Sequence, residues 1–193
     1  MPAAKFDFDA LRADIREGAR EAFAAVRKAH PGERFYAYAL YSDDDPTTVC
    51  AAANTEEAVA RNLERARGRK DYDAADDAET AAMYRWSTGD WAYEGLTSAK
   101  LNAVCKVLFD RAIGGGQTEA ARKAFRKGVY DAMIAALAEL DAEGFFGKGA
   151  DRKKVTLFCS ISDSDDALKL ENRSAKALNP APVVATFAKR WKA

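Results

Sequence analysis

The sequence predicts an α+β protein, with a small, mainly antiparallel sheet of about three to five strands flanked by about five to six helices. Three observations carry this expectation. Long stretches with apolar residues at helical spacing are interspersed with short β-rich runs. Residues 35–41 return through Asp43-Asp44-Asp45-Pro46 to residues 49–53, the pattern of a hairpin. The order of the segments is too irregular for a doubly wound parallel sheet. A length of 193 residues suits one domain, residues 1–193. Such a domain buries about 70% of its unfolded surface and needs no metal or disulfide staple.

The elements follow in order. Phe8, Leu11, Ile15, Ala19, Ala22, Phe23 and Val26 recur at helical spacing, so residues 7–29 read as an amphipathic helix, capped by Asp7 or Asp9 and ended by His30-Pro31-Gly32. Residues 35–41 form an aromatic run apolar on both alternating faces, which predicts a central strand covered on each side. Asn54 is placed to cap the next helix, with Glu57 completing a capping box. Residues 67–80 are charged and predict an exposed loop, with a short helix over 74–82. Residues 84–93 read as a strand and a turn at Gly89. A helix over 101–112, capped by Thr97 or Ser98, ends at Gly114-Gly115-Gly116, a connection suited to an antiparallel helical hairpin with the longest helix, 121–140. Val155, Leu157, Cys159 and Ile161 predict a further strand with one apolar face. Pro180 or Pro182 opens a last helix carrying Val184, Phe187 and Trp191.

Charge and cysteine content narrow the function. Thirty basic residues balance thirty acidic ones. No global field draws the protein to nucleic acid or to an anionic membrane, and the balance favours self-association, so a homo-oligomer is compatible with the sequence. Met1-Pro2-Ala3-Ala4-Lys5 leads straight into charged helical sequence, with neither a signal-peptide core nor a bilayer-spanning run, which predicts a cytoplasmic protein. Cys50, Cys105 and Cys159 are scattered among apolar neighbours and read as free buried thiols; a Cys50–Cys159 disulfide would require their strands to pair.

The most informative stretch is Tyr84-Arg85-Trp86-Ser87-Thr88-Gly89-Asp90-Trp91-Ala92-Tyr93. Trp, Tyr and Arg dominate binding hot spots, so Arg85, Trp86, Asp90, Trp91 and Tyr93 are the candidate binding residues. The competing reading is that the rings fill the core. Within the run, Trp86 is expected in the core and Trp91, after the Gly89-Asp90 turn, as a partly exposed anchor. Two acidic turns are the candidate metal site. Asp43, Asp44 and Asp45 follow the first strand, and Asp163, Asp165 and Asp166 follow the last; parallel neighbouring strands would bring them to one sheet edge, where they could hold Mg²⁺ or Ca²⁺. Solvated turns are the simpler reading. Lys148, Arg152, Lys153 and Lys154 could bind phosphate or an acidic partner, or form a solvated basic loop. His30, the single histidine, sits in a turn, so no zinc spacing and no Ser/His/Asp scheme is legible, and no cofactor is expected.

Several segments together resemble the bacterial domain-of-unknown-function 4303 family. They are Phe35-Tyr36-Ala37-Tyr38-Ala39-Leu40-Tyr41, Asn54-Thr55-Glu56-Glu57, Tyr84-Arg85-Trp86-Ser87 with Trp91, Leu140-Asp141-Ala142-Glu143-Gly144-Phe145-Phe146-Gly147, Ile161-Ser162-Asp163, and Ser174-Ala175-Lys176-Ala177-Leu178-Asn179-Pro180. The resemblance is carried by their succession along nearly the whole chain and implies a single bacterial domain with no catalytic residues to transfer. Small α+β proteins of this kind include toxin-neutralising immunity proteins, by analogy. The expectation is therefore a protein-binding module, immunity-like in role, using the aromatic cluster and the charged loop. The alternative is a carboxylate-based, metal-dependent enzyme or small-ligand binder using the acidic turns and the polar segment 174–179.

Overall fold

A computed structural model of the chain describes residues 6–114 and 118–191. Four strands, β1 (Phe35–Ser42), β2 (Cys50–Thr55), β3 (Tyr93–Leu96) and β4 (Thr156–Ile161), form one mixed sheet in the order β3-β2-β1-β4. β1 runs antiparallel to β2 and parallel to β4, and β2 runs antiparallel to β3. The architecture is α+β, as expected. The described residues contain eight α-helices, more than expected, because a helix unread in the sequence and a one-turn helix, α6 (Gly149–Arg152), join the others.

One face of the sheet carries the larger core. α1 (Phe8–Ala29) begins at Asp7, whose carboxylate accepts from the Asp9 and Ala10 amides at 3.0 Å, and buries Leu11, Ile15, Ala22 and Phe23. It packs with α4 (Ala99–Ile113) and α5 (Glu119–Ala142) over Tyr38, Leu40, Leu157, Cys159 and Ile161. Gly18 allows α1 and α4 to close on each other, since a Cβ there would sit 2.8 Å from the Leu101 amide nitrogen. Both α4 and α5 pack chiefly on α1, not on each other as a helical hairpin would. Of the triglycine between them, Gly115 and Gly116 lie outside the described residues.

The opposite face carries a smaller, aromatic core of Tyr36, Ala37, Ala39, Ala52, Trp86, Trp91, Phe158, Ala175 and Phe187. α2 (Glu56–Arg67), α3 (Asp77–Trp86) and α8 (Ala181–Phe187) lie on that side. Here the sequence reading needs correcting. Tyr84, Arg85 and Trp86 end a helix and do not form a strand, and β3 starts only at Tyr93. The Ala-rich stretch from Asp77, with acidic residues in its first turn, favours helix and overrides the β-propensity of the two rings. Thr55, not Asn54, caps α2, its hydroxyl accepting from the Ala58 amide at 3.1 Å. Glu57 accordingly closes no box with Asn54 and accepts from the Arg34 amide at 2.8 Å.

α7 (Ala167–Leu178) is the helix the sequence reading passed over, and it explains the polar segment 174–179. β4 is an edge strand, and its free backbone groups are closed by side chains from the end of α7. Ser174 Oγ accepts from the Cys159 amide at 2.9 Å. The Asn179 side chain accepts from the Leu157 amide at 2.8 Å and donates to its carbonyl at 2.6 Å. Such covering removes a template for unwanted strand pairing. Ser174 and Asn179 thus have a structural role.

The cysteines are free; Cys159 is buried, and Cys50 and Cys105 are half-buried. β1 separates β2 from β4, so the strands of Cys50 and Cys159 are not neighbours. Burial raises the Cys159 thiol well above its ordinary range. No helix among the described residues is long and apolar enough to cross a membrane.

Candidate functional site

The aromatic cluster divides into buried and accessible parts. Trp86 is 7% exposed and Trp91 only 4%. Trp86 packs edge-on against Tyr36 at 5.8 Å and Phe187 at 5.3 Å, and Trp91 packs edge-on against Phe158 at 5.5 Å. Trp91 is thus core, not a partly exposed anchor. The structure supplies a second reason for its burial. A helix leaves its last carbonyls without internal partners. At the end of α3 they are met by buried side chains: Asn54 Nδ2 donates to the Tyr84 carbonyl at 2.8 Å, and the Tyr36 hydroxyl (2.6 Å) and Trp91 Nε1 (3.2 Å) both donate to that of Arg85. Asn54 also donates to the Tyr36 oxygen at 2.9 Å, linking the three into one network. Burial raises the Tyr36 phenol far above its ordinary value and keeps it a neutral donor.

Arg85 is half-buried, its guanidinium reaching the surface. Its guanidinium forks onto Glu56 at 2.7 and 2.8 Å and lies 4.2 Å over the Tyr36 ring. Hydrogen bonding from Arg85 holds the Glu56 carboxyl below its usual range, against an opposing effect of burial. Tyr93 points elsewhere, packing against the larger core. Its ring packs tilted against His30 at 4.4 Å, and its hydroxyl donates to Glu33 at 2.7 Å. Burial pushes the Glu33 carboxyl up, but hydrogen bonds from Thr55, Tyr93 and Arg61 prevail and hold it below the ordinary value. Asp90 closes the short 3-10 turn Thr88–Asp90, half-buried, and has no ion pair among the described residues. The five candidates therefore do not form one surface, because the chain turns from helix to strand between Trp86 and Tyr93.

The acidic turns do meet. β1 and β4 are parallel neighbours, and the Ser162 amide donates to the Ser42 carbonyl at 2.8 Å. Protein donors, however, occupy most of the carboxylate oxygens of the first turn. Asp43 accepts from the Thr47 amide at 2.9 Å, the Thr48 amide at 3.0 Å and both threonine hydroxyls. Arg126 reaches Asp44 at 3.4 Å and Asp45 at 3.0 Å, and the Ser164 hydroxyl donates to Asp44 at 2.9 Å. Asp163 occupies a left-handed turn position, φ 53°, and Asp165 lies in the turn that follows. Among the described residues no group of three or more His, Cys, Asp and Glu side chains is placed to hold a metal ion. Calorimetric titration with Mg²⁺ or Ca²⁺ is expected to show no tight binding; micromolar affinity abolished by Asp43→Ala with Asp163→Ala would reverse this reading.

The basic loop also divides. Arg152 is buried and structural: it is ion-paired with Asp141 and donates to the Val155 and Leu178 carbonyls at 2.7 Å, tying the starts and ends of three elements together. Lys153 and Lys154 stay exposed beside Thr156, Pro182 and Val183. Sequence reasoning missed Glu171 and Arg190 altogether. Arg190 reaches Glu171 at 2.7 Å, the Ser160 hydroxyl donates to the other Glu171 oxygen at 2.7 Å, and the Arg190 guanidinium lies 3.8 Å over Phe187. Their separation of 19 positions leaves no local pattern to find.

Between α3 and α8 an open groove of about 550 Å³ has Val59, Ala81, Ala82 and Trp86 on its walls together with Arg85, Lys189 and Arg190. The fold and this groove define a small helix-flanked, mixed-sheet α+β protein with a basic, apolar-walled cleft on its aromatic side. A family model described as domain of unknown function (DUF4303) matches residues 15–180, and the chain belongs to that family. No curated protein and no solved structure matches the chain.

Proposed function

We propose that the chain acts by binding another protein and not by catalysis. The observation that carries this is the groove at the Arg85 end of the aromatic cluster. An arginine and the edge of a tryptophan stand there beside aliphatic side chains in one open hollow, the mixture found where proteins bind proteins. The site differs from the one expected from sequence, since Trp91 and Tyr93 are committed to the two cores. The specific form of the proposal is an immunity-like role, in which a bacterial cytoplasmic protein neutralises a toxin; the free thiols suit a reducing compartment. The carboxylate-based alternative has less to rest on, because Asp43, Asp44 and Asp45 are already engaged by protein donors.

The test is affinity capture from the native host followed by titration of each captured protein with the purified chain. One protein is expected to bind at equal stoichiometry, and its toxicity on expression is expected to be suppressed by co-expression of the chain. If no captured protein binds the purified chain, the reading fails.

A further inference from the structure

We propose that the groove between α3 and α8 accepts an acidic, amphipathic segment of the partner protein; this inference rests on the protein-binding reading above. A second hollow of about 250 Å³ adjoins the first, sharing Arg85, Trp86 and Thr186 with it and extending past Thr156 to Lys153 and Lys154. The cationic lining of the two hollows comprises Arg85, Lys153, Lys154, Lys189 and Arg190, and among the described residues no Asp or Glu lines either. The balancing carboxylates stand outside the lining: Glu56 holds Arg85, Glu171 holds Arg190, and Asp151 holds Lys154. Lys153 and Lys189 are exposed and have no ion pair among the described residues.

This distribution selects the ligand. A segment lying across both hollows meets an uncompensated ammonium in each, beside Val59, Ala81 and Ala82 in one and Pro182 and Val183 in the other. Carboxylates flanking apolar side chains complement that pattern, as on an amphipathic helix with apolar residues three and four apart. Nucleic acid fits less well. The chain has no net positive charge. The rings in the hollows, Tyr36 and Trp86, are buried and packed edge-to-face, so neither offers a free face on which a base could stack. The α3 wall lies within residues 15–180 matched by the family model, and the α8 wall lies C-terminal to them.

The probe is a fluorescent peptide of about 15 residues with Leu at every third or fourth position flanked by Glu, compared with its charge-reversed form carrying Lys and with a single-stranded oligonucleotide. Fluorescence anisotropy is expected to show saturable, salt-sensitive binding of the acidic peptide at micromolar concentrations. The double variant Lys153→Glu, Lys189→Glu changes only exposed, unpaired residues, and circular dichroism is expected to show it folded. It should weaken the acidic peptide by about tenfold or more. The inference is overturned if the acidic peptide shows no binding, if the basic peptide or the oligonucleotide binds as well, or if the double variant binds within about twofold of the original chain. The same variant separates the two readings in the capture experiment. A partner retained in full by the variant sinks the groove assignment and leaves protein binding standing, whereas absence of any partner for the original chain sinks both.

Discussion

Trp91→Ala is expected to destabilise the protein by about 3–5 kcal/mol, the range for truncating a large buried ring. Its ring is 4% exposed against Phe158, and its Nε1 hydrogen satisfies the Arg85 carbonyl at the end of α3. The alanine variant loses the packing and leaves that carbonyl with the Tyr36 hydroxyl alone. Trp91→Phe keeps most of the packing and removes the donor, so it should cost less, about 1–2 kcal/mol. Urea denaturation of both variants checks this. A change within about 1 kcal/mol for Trp91→Ala would return Trp91 to the surface-anchor role that its place after a glycine turn suggests in the sequence.

Glu171→Ala is expected to cost a similar amount, about 3–5 kcal/mol, through electrostatics instead of volume. The Arg190 side chain is 1% exposed and that of Glu171 11%. Removing the carboxylate leaves the guanidinium buried with only the Asn172 side-chain oxygen and the Phe187 carbonyl as acceptors. The Ser160 hydroxyl loses its acceptor as well. Because the penalty belongs to the orphaned charge, replacing both partners by apolar residues of similar volume, Glu171→Leu with Arg190→Met, should recover most of the loss. A double variant as unstable as Glu171→Ala would show that the pair matters for shape and not for charge. The pair also anchors the α8 wall, so Glu171→Ala should loosen the groove that Lys189 borders.

Much of the fold was legible because it is written in local periodicity. The stripe from Leu11 to Val26, the two-faced run at 35–41 and the alternation from Leu157 to Ile161 each correspond to the expected element within a residue or two. The errors have a local and a long-range cause. Tyr84 and Trp86 have β-propensity, but the alanines and acidic residues before them carry the helix through. Ser174 and Asn179 read as part of a ligand-binding polar segment because their partners are the backbone of β4, 15 and 22 positions away. Asn54 looked like a cap because the Tyr84 carbonyl that claims it lies 30 positions on.

The candidate site was less legible for the second, long-range reason. The sequence by itself determined a charge-balanced α+β chain, a central strand covered on both faces, and a cluster in which Arg and Trp stand side by side. Which ring is buried, and what stands opposite Arg85, was decided only by the tertiary structure. The helix-to-strand turn between Trp86 and Tyr93 sends the ends of the cluster to opposite faces of the sheet. β1 and β4, parallel neighbours, bring the acidic turns together only for Arg126 and Ser164 to meet Asp44. α8, pinned by Arg190 to Glu171, supplies the facing wall with Lys189. Local spacing sets which side of an element is apolar; long-range contacts set which element it meets, and a groove exists only between elements that have met.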